Sequence, residues 1–129
     1  MPEELQVYKC NICGNVVEVL HGGKGELVCC GEPMELLKEK YEEEDNEMHL
    51  PEIDRTERGF FLKIGLIRHP MQNSHHIEWV EVKMDDGTIH RKTLSPGDIP
   101  EVYFGLDHDD LIEVRVYCNT HELWKQNMR

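Results

Sequence analysis

The chain has no apolar run approaching the roughly 18 residues that a membrane helix requires. Its first residues, Met-Pro-Glu-Glu-Leu-Gln, lack the charged-then-apolar pattern of a secretory signal. A cytoplasmic protein is the expectation. Basic residues are scarce: 14 Lys and Arg stand against 26 Asp and Glu, a formal charge of −12 over 129 residues. Such a surface repels nucleic acid and anionic membranes, so neither is expected as a partner. Helical periodicity is scarce as well. Cysteine is confined: four of the five lie between positions 10 and 30, and the fifth, Cys118, stands alone near the end. In a reducing compartment that clustering favours metal ligands, with a disulfide pair as the other possibility.

What is there divides into two modules and a connector. Residues 1–37 read as a small metal module. Leu5 to Lys9 alternates like a short strand and runs into Cys10-Asn11-Ile12-Cys13-Gly14, a Cys-x-x-Cys knuckle closed by a turn-permitting glycine. Val16 to Leu20 reads as a second strand, and Leu27-Val28 leads into Cys29-Cys30-Gly31. So short a segment cannot bury enough apolar surface to fold alone, so a structural metal is expected on Cys10, Cys13, Cys29 and Cys30. Four thiolates imply zinc or iron. Adjacent Cys29 and Cys30 cannot form a second regular knuckle, so a distorted tetrahedron is expected.

Residues 38–48 carry a run of acids without apolar period and read as a solvated linker. Residues 49–129 read as all-β. Strand candidates are Gly59–Ile67, Ile77–Met84, Thr88–Leu94, Val102–Leu106 and Leu111–Tyr117, with a hairpin signal at Asp85-Asp86-Gly87. Short strands with regular turns predict an antiparallel β-sandwich.

That second module holds its own ligand set. Cys118 and His121 form a Cys-x-x-His pair at the end of the last strand candidate. His49, His69 and His75 sit at element ends, where a rigid scaffold can present ligands. Four imidazoles and one thiolate would leave an octahedral ion one open position, the arrangement for chemistry on a small ligand. Zinc prefers four ligands. A blue-copper centre is a rival, but the nearest methionine after His121 is Met128, and the histidines are too many. Iron fits better. His21, His76, His90 and His108 read as surface or loop residues, and only one of the neighbours His75 and His76 can point to a common site.

These pieces resemble the desulfoferrodoxin family, two-iron superoxide reductases, over essentially the full length. The matching segments are Tyr8-Lys9-Cys10-x-x-Cys13-Gly14, Val28-Cys29-Cys30, Glu47-Met48-His49-x-Pro51, His69-Pro70-Met71, His75, Trp79 and Tyr117-Cys118-Asn119-x-His121-x-x-Trp124. The resemblance implies a rubredoxin-like tetracysteine module joined to an immunoglobulin-like β-sandwich, usually in a homodimer. It implies Fe3+ on the four cysteines. It also implies an iron cycling between Fe2+ and Fe3+, with His49, His69, His75 and His121 equatorial and Cys118 axial. His121 is expected to bind through Nδ1 and the other three through Nε2. The N–H groups of Asn119 and Thr120 are expected to hydrogen-bond the Cys118 sulfur. The implied reaction is one-electron reduction of superoxide to hydrogen peroxide, with re-reduction by an external donor such as rubredoxin. Glu47 matches the glutamate that caps the oxidised iron. Met48 stands where the family usually has an anion-attracting lysine; either association with superoxide is slower here, or Arg68 or another cation substitutes. A non-catalytic electron-transfer or redox-sensing role is the alternative.

Overall fold

Along Phe60–Ile64 the side chains alternate between buried and exposed, the period-2 signature of a strand with one face on a core. That pattern sets the architecture of the larger part of the chain. The computed structural model describes residues 1–41, 49–65 and 69–128. The chain divides into two compact units, Met1–Lys38 and Glu39–Arg129.

In the first unit, β1 (Val7–Lys9) pairs antiparallel with β2 (Val16–Glu18). Strands β3 (Val28–Cys29) and β4 (Glu32–Pro33) form a separate hairpin, and β5 (Glu35–Leu36) lies on the other edge of β1. The buried apolar residues here are Val7, Cys10, Val19 and Leu37. So small a core fits the expectation that a metal supplies folding energy.

The second unit is a sandwich of two antiparallel sheets. One has the order β6 (Pro51–Arg55), β7 (Phe60–Ile64), β10 (Glu101–Phe104). The other runs β9 (Ile89–Thr93), β8 (Ile77–Met84), β11 (Leu111–Cys118), β12 (Glu122–Asn127). Phe60, Leu62, Ile64, Val102 and Phe104 of the first sheet meet Ile77, Val80, Val82, Met84, Leu111, Val114, Val116 and Trp124 of the second in one core. Each such side chain contributes about 1.5–3 kcal/mol on burial.

Two features of this unit place the site. Opposite the end of β11 the register slips: Tyr117 pairs with Trp79, but Cys118 pairs with Ile77. Glu78 is therefore a bulge residue, and the core-facing residues of β8 are Ile77, then Val80, Val82 and Met84. Parity changes at the bulge. The second feature is a buried charge pair. Arg115 donates to Glu81 Oε1 from Nε at 2.9 Å and from Nη2 at 2.6 Å, and from Nη1 to Glu39 at 3.2 Å.

Three differences from the sequence-based expectations stand out. Strands β6 and β12 were not foreseen: β6 opens on a proline, and β12 follows a ligand turn. Strand β7 ends at Ile64, because Gly65, at φ 85°, turns the chain and donates its N–H to the Leu50 carbonyl. Finally, Lys40 pairs its backbone with β12: its N–H donates to Leu123 and its carbonyl accepts from Lys125. The expected linker over 38–48 thus begins with residues bonded into the sandwich, while 42–48 lie outside the described residues.

Candidate metal centres

The sulfurs of Cys10, Cys13, Cys29 and Cys30 all lie within 4.8 Å of one another. The first two sit on an ordinary knuckle: Cys10 accepts from Gly14 N–H through its carbonyl, and Gly14 takes φ 85°. The adjacent pair reaches the same point by a different device. Cys29 pairs with Glu32, so Cys30-Gly31 is a two-residue hairpin loop, with φ 55° and 78°. A type I′ turn requires positive φ at both positions, and it swings two neighbouring side chains to one side.

The electrostatics of this cluster call for a cation. The N–H groups of Cys13 and Ile12 point at the Cys10 sulfur and bring its pKa down to about 6. Contact with Cys13 pushes Cys30 up to about 12 and raises Cys29. The Cys13 and Cys29 sulfurs stand 3.5 Å apart. One thiolate forms readily, but four in that space need a metal to neutralise them.

The second cluster joins His49, His69, His75, Cys118 and His121, whose ligand atoms also lie within 4.8 Å of one another. The imidazoles close a cycle. Centroid separations are 4.8 Å for His49–His69, 4.8 Å for His69–His75, 5.0 Å for His75–His121 and 4.9 Å for His121–His49. Neighbouring rings are inclined by 61° to 81°. His49 lies just before β6. His75 follows a two-residue turn in which Gln72 and His75 exchange backbone hydrogen bonds. Cys118 ends β11, and His121 sits in the loop to β12, whose first residue, Glu122, takes φ 67°.

The ring nitrogens fit a metal. His69 Nδ1 donates to the Pro70 carbonyl at 2.7 Å, which fixes its tautomer and leaves the Nε2 lone pair free. Nε2 of His69 and Nε2 of His75 are buried with no hydrogen-bond partner. His121 turns Nδ1 inward, 3.2 Å from His49 Nε2 and 4.0 Å from the Cys118 sulfur. Burial, with the neighbouring histidines, drives His49 down to about 3, and burial also lowers His69 and His75. Neutral imidazoles are what a metal takes. Burial raises the Cys118 thiol, opposed by the N–H groups of His121 and Thr120. Thr120 was expected in that role. Asn119 was expected too, but its N–H donates to the His76 carbonyl at 3.1 Å. His121 takes its place.

His49, His69 and Cys118 are buried, His75 is partly so and His121 is exposed, so the cluster opens on the His121 side. His76 is outside it. Glu47, Met48 and Arg68 lie outside the described residues. The sequence reading quoted Trp124 without assigning it a role and did not single out Lys40. Trp124 stacks on His49, with centroids 4.4 Å apart and planes 1° from parallel, and donates from Nε1 to the His121 carbonyl at 3.1 Å. Lys40 Nζ donates to that same carbonyl at 3.0 Å. A Trp three residues after the ligand histidine was a visible signal; Lys40, 81 positions away, was not. A third group, Asp107, His108 and Asp109, also has metal-ligating composition but is largely exposed.

Residues 2–37 match the family described as desulfoferrodoxin, N-terminal domain, and residues 41–127 match the family described as desulfoferrodoxin. The chain is 50% identical over 125 residues to a desulfoferrodoxin homolog of Archaeoglobus fulgidus, covering 97% of this chain and 98% of that one. It is 47% identical to the desulfoferrodoxin of Nitratidesulfovibrio vulgaris, with the same coverage. Its fold superposes on the superoxide reductase of Treponema pallidum with a TM-score of 0.77 at 25% identity, covering 98% and 100% of the two chains. Two metal-ligating clusters on a small cysteine module and a β-sandwich, with a relative at half identity over nearly the whole length, place this chain in the desulfoferrodoxin family.

Proposed function

We propose that this chain is a superoxide reductase, converting superoxide to hydrogen peroxide at the histidine–cysteine centre, with iron in both clusters. The observation that carries this is the closed cycle of four imidazoles gathered with the Cys118 sulfur. The ligand assignment is Nε2 of His49, His69 and His75, Nδ1 of His121 and Sγ of Cys118. Bound there, iron supplies one-electron chemistry: superoxide, one electron and two protons give hydrogen peroxide, with the O–O bond kept.

The residues divide the work. The imidazoles stay neutral because burial disfavours their charged forms. They therefore leave the positive charge of the ion available to an incoming anion. The Cys118 thiolate supplies electron density from within the core, and the N–H groups of Thr120 and His121 hold that density on sulfur. The exposed His121 side is the access route for a small anion. Glu47 is assigned as the carboxylate that caps the oxidised centre, and Met48 as the neighbour that leaves that approach without a local cation.

The finer organisation belongs to the same reading. Residues 1–38 hold the tetracysteine iron and residues 39–129 the catalytic centre, with Glu39 and Lys40 bonded into the sandwich. A small electron carrier such as rubredoxin re-reduces the enzyme. The protein works in the cytoplasm as a homodimer.

Stopped-flow mixing with superoxide, in the presence of an electron donor, tests the assignment. One peroxide per superoxide, without oxygen release, is the expected yield. One peroxide per two superoxides would make the protein a dismutase, and no consumption would leave it an electron carrier or sensor.

A further inference from the structure

Lys40 is fixed at both ends. Its backbone is a parallel bridge to Trp124, with its N–H on Leu123 at 3.0 Å and its carbonyl on Lys125 at 2.9 Å. Its neighbour Glu39 turns to Arg115 and Lys125. The Lys40 side chain goes elsewhere. Its ammonium donates to the His121 carbonyl at 3.0 Å and lies 5.2 Å from the Trp124 ring centroid. With Trp124 Nε1 on the same oxygen at 3.1 Å, the His121 carbonyl has both lone pairs occupied.

This carbonyl is a sensitive place to hold. It belongs to a ligand, and the next residue, Glu122, is in the left-handed region at φ 67°. A non-glycine residue there is strained and persists only where its surroundings over-determine it. Lys40 and Trp124 do so together. The ammonium also brings a full positive charge to within 3.0 Å of the carbonyl of a ligand residue. Lys40 therefore touches the shell of the centre in three ways: through His121, through the Trp124 indole that stacks on His49, and through its charge.

We propose that Lys40 is a positioning residue of the histidine–cysteine centre, locking the Cys118–His121 turn through the His121 carbonyl and setting the reduction potential with its charge. The inference rests on the superoxide-reducing reading only for its consequence; its geometry stands without it. A nearby positive charge favours the state of the centre with less positive charge, which is the reduced one. Removing it lowers the potential. Removing the hydrogen bond loosens the turn and lets the metal leave faster.

The test uses the full iron-loaded chain as Lys40→Met, Lys40→Gln and Lys40→Arg. Redox titration reads the potential of each centre separately, and a chelator reads iron release. Lys40→Met is expected to shift the reduced-to-oxidised ratio at fixed potential about tenfold toward oxidised, 59 mV for a one-electron couple. It also releases iron several-fold faster. Lys40→Arg keeps both near wild type. Lys40→Gln retains a donor without the charge, so it lowers the potential while holding the metal, and it serves if Lys40→Met does not fold. The tetracysteine potential is the internal reference. A Lys40→Gln protein with wild-type potential, or a Lys40→Arg protein that restores neither quantity, overturns the proposal. Neither readout uses superoxide. Failure of the wild type to consume superoxide would instead sink the enzymatic assignment and leave this inference standing.

Discussion

The indole of Trp124 lies flat against the imidazole of His49, 4.4 Å between centroids and 1° from parallel. One face of a ligand ring is thus held by a fully packed neighbour, itself 2% exposed. Trp124→Phe keeps an aromatic plane but loses the Nε1 donor to His121. The expected cost is about 1 kcal/mol of stability, with a modest rise in iron loss. Trp124→Ala removes the plane as well, at about 3–5 kcal/mol. Denaturant unfolding and chelator kinetics measure both.

As the assigned sulfur ligand, the Cys118 thiolate would supply the sulfur-to-iron charge transfer of the oxidised centre. Cys118→Ser therefore abolishes that absorption band while the tetracysteine spectrum persists. An unchanged band in the variant would move the sulfur ligand elsewhere.

Cys13 holds the first knuckle, and its sulfur stands 3.5 Å from that of Cys29. Cys13→Ser removes the iron of the N-terminal unit and lowers that unit's melting temperature, leaving superoxide reduction near wild type. Loss of all activity would mean that electrons must pass through that centre.

Arg115 and Glu81 are 5% and 3% exposed, and they pair at 2.6 Å. Removing Arg115 takes away the two hydrogen bonds on Glu81 Oε1 and leaves this buried carboxylate beside the more exposed Arg91, 3.5 Å from Oε2. Arg115→Met is expected to destabilise the sandwich by about 3–5 kcal/mol, and Arg115→Met with Glu81→Leu to recover much of that. Urea midpoints of the three proteins decide it.

Acid stability depends on the same imidazoles. In the metal-free protein His49 sits at about 3 against an ordinary 6.5. Its folded value is depressed, so the unfolded chain takes up the proton first. Stability is full above 6.5 and falls as pH drops from 6.5 toward 3, with His69 and His75 adding in the same direction. Bound metal occupies the lone pairs and should move the loss to lower pH. Melting curves with and without iron, at pH 7.5, 6, 5 and 4, give the comparison.

Much of this was legible in the chain itself. The Cys-x-x-Cys and Cys-x-x-His spacings carry geometry that local turns impose, so Cys10, Cys13, Cys118 and His121 could be read from spacing, while Cys29 and Cys30 rested on clustering and His49, His69 and His75 on position at element ends and on the family resemblance. Strand β8 could be read from alternation over most of its length, but its bulge at Glu78 could not. The supporting residues were not legible, because they act across the fold. Glu39 and Lys40 sit in an acidic run whose composition reads as solvated, yet one reaches a buried arginine and the other a ligand's carbonyl. The hydrogen bonds on the Cys118 sulfur depend on which amides the loop turns inward. Spacing alone does not say.

The slip at Glu78 separates two parities of inward-facing residue, and His75, not its neighbour His76, belongs to the ligand cluster. Upstream of it the inward residues are odd-numbered, His75 and Ile77; downstream they are even, Val80 to Met84. A one-codon deletion there, without repair elsewhere, would hand the metal His76 in place of His75 or throw the sheet out of step. Gain or loss of a single residue at this joint is therefore a change of ligand, and substitution should be far better tolerated there than a change in length.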